Sequence, residues 1–225
     1  MWGKAVFTYI LRTNAGQEWS IPVTLDRPWP PPEAAPTPHW AALSFNRCPN
    51  CRLRGDDGGC PPAVDLIDIV EQFSDTASTE RVEVRVVGPN REYSRSCDVQ
   101  TALRSLIGLV MASSACPSLS RLSAMARHHL PFSDRVETAQ RAASSYLLQQ
   151  YFHAQDGLSP DLALVGLREL YLELQEVNAY FARRLRAAAQ QDASVNAIAA
   201  LSSLANLITF SLDDDLEELR RLIKR

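Results

Sequence analysis

Near residue 98 the spacing of apolar side chains changes, and the change separates a part suited to strands from a part suited to helices. Before it, Trp19, Ile21, Val23 and Leu25 alternate with Glu18, Ser20, Pro22 and Thr24. Val82, Val84 and Val86 alternate in the same way with Arg81, Glu83 and Arg85. Period two puts each apolar set on one face of a strand. After residue 98, Leu103, Leu106, Ile107 and Val110 recur at helical spacing, followed by Leu119, Leu122 and Met125. Val136, Ala139, Ala143 and Leu147 make a third helix, and Leu167, Leu170, Leu174, Val177, Phe181 and Leu185 a long fourth one. Two more are expected over 193–209 and 212–224, the last with Asp213, Asp214 and Asp215 in its first turn and basic residues in its last. The expected fold class is α+β: a small antiparallel sheet lobe over residues 1–98, then a helical C-terminal lobe over 99–225.

Within the first lobe, Thr13-Asn14-Ala15-Gly16 reads as a hairpin turn, and Pro22 assigns its strand to a sheet edge. Residues 28–38 hold six of the fourteen prolines and read as an extended connector. Ala41, Leu43 and Phe45 alternate and predict another strand, Pro61–Phe73 a helix, and Gly88-Pro89-Asn90 a turn into a returning strand.

With 46% hydrophobic and 22% charged residues, the chain can bury a core. A net charge of -3 without a basic stripe argues against a nucleic-acid partner. The longest apolar run, Leu106–Ala112, is far short of a membrane span. The run Ala5–Leu11 after Lys4 is broken by Thr8 and lacks a small-residue cleavage site, so it reads as a strand and not as a signal peptide. The expected location is the cytoplasm. Five cysteines in a reducing compartment favour metal or redox chemistry over disulfides.

Cys48-Pro49-Asn50-Cys51 is a CxxC pair, Cys60 follows after eight residues, and Cys116 comes much later. Two intervening residues let one turn present both sulfurs to one ion, at zinc–sulfur distances of about 2.3 Å. Gly55, Gly58 and Gly59 let the chain fold back to bring Cys60 in. Pro61 and Pro117 suit the first position of a helix, which makes Cys60 and Cys116 candidate N-caps whose exposed N–H groups favour a thiolate. The expected ligands are therefore Cys48, Cys51, Cys60 and Cys116, joining the two lobes. Cys97 is a spare core thiol and a fallback ligand. Arg127, His128 and His129 are candidates for positions just outside the ligands. Four thiolates suit zinc and also an iron–sulfur cluster, and the three Cys-Pro pairs fit either. The tight spacing of an electron-transfer ferredoxin is missing, which favours zinc.

Other candidates are bland. Glu169, Glu173 and Glu176 read as a solvated face, without the E-x-x-H pairs of a di-iron bundle. There is no Gly-rich phosphate loop, GxSxG elbow or HExxH motif. Ser113 and Ser114 near His128 lack the third member of a triad. Tyr146, Tyr151 and Phe152 read as core. Arg81, Arg85, Arg91 and Arg95 form a basic patch that Glu83 and Glu92 dilute.

The stretches SFNRCPNCRLRGDDGGCPPAVDL, ASSACPSLSRLSAMARHHLPF and LQEVNAYFARRLRAAAQQDASVNAI together resemble an uncharacterised bacterial family. Its pattern is a CPNC segment, a later Cys-Pro, an Ala-Arg-x-His-Leu-Pro-Phe segment and a helical C-terminal part. The matching positions are Cys48, Cys51, Cys60, Cys116, Arg127, His129, Asn178, Arg183, Asp192 and Asn196. The resemblance implies a bacterial protein folded as one unit, and it transfers no activity. The functional expectation is a non-enzymatic adaptor or regulatory protein with a structural zinc that binds a protein partner. The alternative is an iron–sulfur or thiol-based redox sensor.

Overall fold

The computed structural model describes residues 7–31, 36–55, 58–188, 192–196, 198–199, 214 and 216–221. Four strands form one antiparallel sheet: β1 (Phe7–Thr13), β2 (Glu18–Val23), β3 (Arg81–Val87) and β4 (Glu92–Asp98), in the order β2-β1-β3-β4. The β1–β2 register sets Tyr9 opposite Ile21, and the β1–β3 register sets it opposite Val86. Alternation therefore gathers Phe7, Tyr9, Leu11, Trp19, Ile21, Val23, Val82, Val84 and Val86 on one buried face. Pro22 lies on the edge strand β2, as its missing N–H requires. Gly16, at φ +88°, makes the tight turn between β1 and β2.

The change of period falls on one residue. Asp98 ends β4 and also caps helix α3 (Val99–Ala112), its carboxylate accepting the Thr101 N–H at 2.9 Å. The strand runs straight into a helix whose Leu103, Leu106, Ile107 and Val110 are fully or almost fully buried, within one core that spans sheet and helices.

The β2-to-β3 connection holds two short helices, α1 (Pro61–Val64) and α2 (Ile67–Gln72), where the sequence predicts one. Phe73, at the end of α2, stacks on Trp19 of β2 at 4.6 Å between ring centres. The strand expected at Ala41–Phe45 is not formed. Residues His39–Ala41 make a 3-10 turn, and only an isolated bridge pairs Ala42 with Gly59. Three alternating apolar residues do not make a strand when no neighbouring strand offers its ladder.

Beyond α3 come a short α4 (Ser123–Arg127) and two long helices, α5 (Arg135–Gln155) and α6 (Val165–Ala188). Asp134 and Glu137 close a reciprocal capping box at the start of α5. The buried stripe of α6 runs along Leu167, Leu170, Leu174, Val177, Phe181 and Leu185, as its spacing predicts. Tyr151 and Phe152, expected in the core, are instead 56% and 55% exposed at the end of α5. The helices expected over 193–209 and 212–224 fall largely outside the described residues. No helix among the described residues is long and apolar enough to cross a membrane.

Candidate metal centre

Cys48, Cys51, Cys60 and Cys116 line one recess of about 30 Å³, walled on the other side by Val177, Phe181 and Arg184 of α6. Three separate segments bring the thiols there. In the first, the Cys51 N–H donates to the Cys48 carbonyl at 3.0 Å, so the CxxC segment closes as a turn with both side chains on the recess. In the second, Gly55 and Gly58 take positive φ and the chain doubles back. The Cys60 N–H then reaches the Ala41 carbonyl at 2.8 Å, and the Leu43 N–H reaches the Gly58 carbonyl at 2.9 Å. Cys60 is the N-cap of α1, with Pro61 at the first helical position, as expected.

Cys116 arrives from the end of α3, and here the expected helix start is wrong. Pro117 lies in a turn, and the following 3-10 helix begins only at Leu119 with Ser118 as its N-cap. The electrostatic benefit survives, because the backbone N–H groups of Ser118 and Leu119 face the Cys116 sulfur. Each N–H counteracts part of the burial that raises the thiol's pKa.

The electrostatics are those of buried thiols close to one another. Burial, then the neighbouring Cys60 and Cys116, push the Cys48 pKa up to about 12. Burial pushes Cys60 up to about 11, against the pull of Arg184. Among the described residues, no three His, Cys, Asp or Glu side chains are gathered closely enough to hold an ion as they stand. The thiols thus border one recess without forming a ready ligand shell. Protonated thiols have nothing to draw them inward, and bare thiolates would repel each other.

Two residues around the recess go beyond the sequence reading, which singled out no role for Arg184 and placed Glu173 on a solvated face. Arg184 is 1% exposed, and its guanidinium donates to the carbonyls of Trp40 at 2.9 Å, Ala42 at 2.6 Å and Leu43 at 3.2 Å. No carboxylate among the described residues pairs with it. The signal lay in helical phase, since Arg184 falls three residues after Phe181 and seven after Val177, on the buried stripe. Glu173, expected on a solvated face, has a side chain only 13% exposed. It accepts from Ser118 Oγ at 2.6 Å and pairs with Arg52 at 3.1 Å and Arg121 at 3.0 Å, while its carbonyl takes the Asn50 amide at 3.1 Å. One residue of α6 therefore ties down the segments that carry Cys51 and Cys116.

By chemistry, four thiols suit a single thiophilic ion, although they would have to draw closer to ligate it. The recess has room for about one atom of that size, all four cysteines line it, and a doubly charged cation with four thiolates would leave a net negative centre. The buried charge of Arg184 is placed to compensate it. Asn50 Oδ1, buried at the same recess without a hydrogen-bond partner, is a further group that a cation would relieve.

The remaining candidates lie elsewhere. Cys97 is buried in the sheet opposite Val82 and does not line the recess. Arg127, His128 and His129 do not line it either. Arg127 pairs with Asp26 at 2.7 Å on the surface, the His128 carbonyl accepts from Arg141, and His129 is half-buried against Tyr9. Asp192 accepts from Ser78 and Asn196, and Arg183 lies over the Tyr180 ring.

Neither a curated protein nor a solved structure matches the chain. A family model does, over residues 7–224, which takes in the cysteine segments and the helices that wall them. The chain belongs to that family, described as a domain of unknown function, DUF6901.

Proposed function

We propose that Cys48, Cys51, Cys60 and Cys116 hold one structural zinc ion, and that the chain is a non-enzymatic adaptor or regulatory protein stapled by it. The observation that carries this reading is the meeting of four thiols, from three segments up to 68 residues apart in sequence, around a recess of one-ion size. Zinc bound by four thiolates gains its energy largely as folding energy, because the ligands are scattered in the unfolded chain. The ion would draw in sulfurs that, protonated, have no mutual attraction. The small recess also favours zinc over an iron–sulfur cluster, whose irons and bridging sulfides need several times the space of one ion. The adaptor part rests on the exposed apolar side chains at the end of α5 and beyond, among them Leu148, Tyr151, Phe152 and Leu162.

Cys51→Ser tests the staple. It removes one ligand and leaves a hydroxyl that binds zinc poorly. Zinc content and thermal midpoint should fall together. If both stay at the parent values, the staple is wrong.

A further inference from the structure

α6 also borders a second and larger cavity, of about 160 Å³, between α3, α4 and the start of α5. Its wall is mostly apolar: Leu109, Leu119, Leu122, Met125 and Leu174. Its polar groups are unusual in one respect. Arg104 and Arg141 line it, and no carboxylate does, in a chain whose net charge is -3. Tyr171 and Asn178 line it as well, 5% and 7% exposed, and the Tyr171 phenol lies close enough to Arg141 to feel its charge.

Arg141 is the group with most to gain. Its Nη2 donates to the carbonyls of Met125 at 2.8 Å and His128 at 3.0 Å, and its Nη1 to Ser133 Oγ at 3.4 Å. These are neutral acceptors. No carboxylate among the described residues pairs with it, and burial pulls its pKa down. Glu137, one turn earlier, is committed to the α5 capping box. His129, on the same wall, is held neutral by burial and contacts Tyr9 through Nε2 at 2.5 Å, so it adds no charge. The positive charge is thus fixed by the fold, with Tyr171, Tyr93 and Glu137 near enough to act on it but no carboxylate in direct contact among the described residues.

We infer that this cavity binds a small monocarboxylate, its apolar body among Leu109, Leu119, Leu122, Met125 and Leu174 and its carboxylate on Arg141, Tyr171 and Asn178. The volume leaves room for a body of about one aromatic ring, since an enclosed apolar cavity of about 150 Å³ holds benzene, and the open side of this one leaves the carboxylate end near solvent. The ligand is therefore an acid with one aromatic ring or a short aliphatic chain. Recognition by guanidinium, phenol and amide together is a charge-assisted arrangement that a neutral isostere cannot reproduce. This site is separate from the cysteine recess and does not depend on what that recess holds.

The test is calorimetric titration of the full chain with benzoate and with octanoate, alongside benzyl alcohol and octanol. The expected result is one saturable acid site per chain and binding of the matching alcohol weaker by about tenfold or more, as loss of a charge-assisted hydrogen bond implies. Gly108→Leu adds bulk at a cavity-lining helical position. It should abolish binding while the thermal midpoint holds or rises. Arg141→Gln should weaken acid binding by about tenfold or more and leave alcohol binding unchanged. If neither acid binds below about 10 mM, the cavity is not such a site. Equal binding of acid and alcohol overturns the carboxylate assignment. Undiminished binding in a folded Gly108→Leu chain overturns the location.

Discussion

Arg184 shows what a single residue can reveal about a site. A guanidinium that is almost completely buried, with three backbone carbonyls and no carboxylate, is costly unless negative charge is supplied close by. The same three bonds organise residues 40–43, the stretch against which Cys60 folds back. Arg184→Met keeps the bulk and removes the donors, leaving buried carbonyls unmet. Stability should fall by roughly 2–4 kcal/mol in denaturant unfolding. A loss under about 0.5 kcal/mol would mean that these carbonyls find other donors. In sequence, Arg183, Arg184 and Arg186 look alike. Only the phase of the α6 stripe separates the one that turns inward.

At the scale of elements, the strands and long helices were legible because their periods run over enough residues to exclude alternatives. β3 alternates along its whole length, and α6 keeps its stripe through six apolar positions. The segment 41–45 was not legible. Three alternating residues satisfy a 3-10 turn followed by an isolated bridge as well as they satisfy a strand. The clamp at Glu173 was hidden for a related reason. Its partners Arg52, Ser118 and Arg121 lie far away in sequence, so nothing local marks it out from Glu169 or Glu176. Glu173→Gln keeps the shape but weakens the hold of α6 on both cysteine-bearing segments. The expected cost is about 1–3 kcal/mol in unfolding, and zinc should pass to a chelator faster than from the parent chain. Unchanged stability and unchanged zinc release would show that the two segments are held without it.

For the whole molecule, pH tests how tightly the sheet and helices are joined. His129 lies behind the sheet, edge-on to Phe7 and bonded to Tyr9, with Arg141 as the nearby charge. Burial, then Arg141, pull its pKa from 6.5 down to about 3. The folded chain keeps the ring neutral where the unfolded chain protonates it. The stability from this group is complete above pH 6.5 and is lost progressively as pH falls toward 3. Each tenfold change in proton affinity is worth about 1.4 kcal/mol, so the loss should reach several kcal/mol. Unfolding free energies measured from pH 7 to pH 4 should decline, and His129→Gln should flatten the decline. An equally steep decline in that variant would place the acid sensitivity elsewhere.

That Cys48, Cys51, Cys60 and Cys116 line one recess agrees with the CxxC, the glycine-rich return and the distant Cys-Pro, while sequence alone left Cys97 open in place of Cys116. Their environment was not legible. The fold, and not the motif, supplies Arg184, Glu173 and the wall of α6. The arginine-lined cavity has no sequence signature, since its residues come from α3, α4, α5 and α6 and each looks like ordinary core or surface on its own element.

The central claim is that one thiophilic ion joins these segments. The direct measurement is elemental analysis of the full chain purified without oxygen, with an absorption spectrum taken on the same sample. One zinc per chain and no visible absorption are expected. Iron with sulfide and a broad band near 400 nm, roughly where thiolate-ligated clusters absorb, would contradict the zinc staple and make the centre a redox sensor. A folded chain with no metal would contradict both.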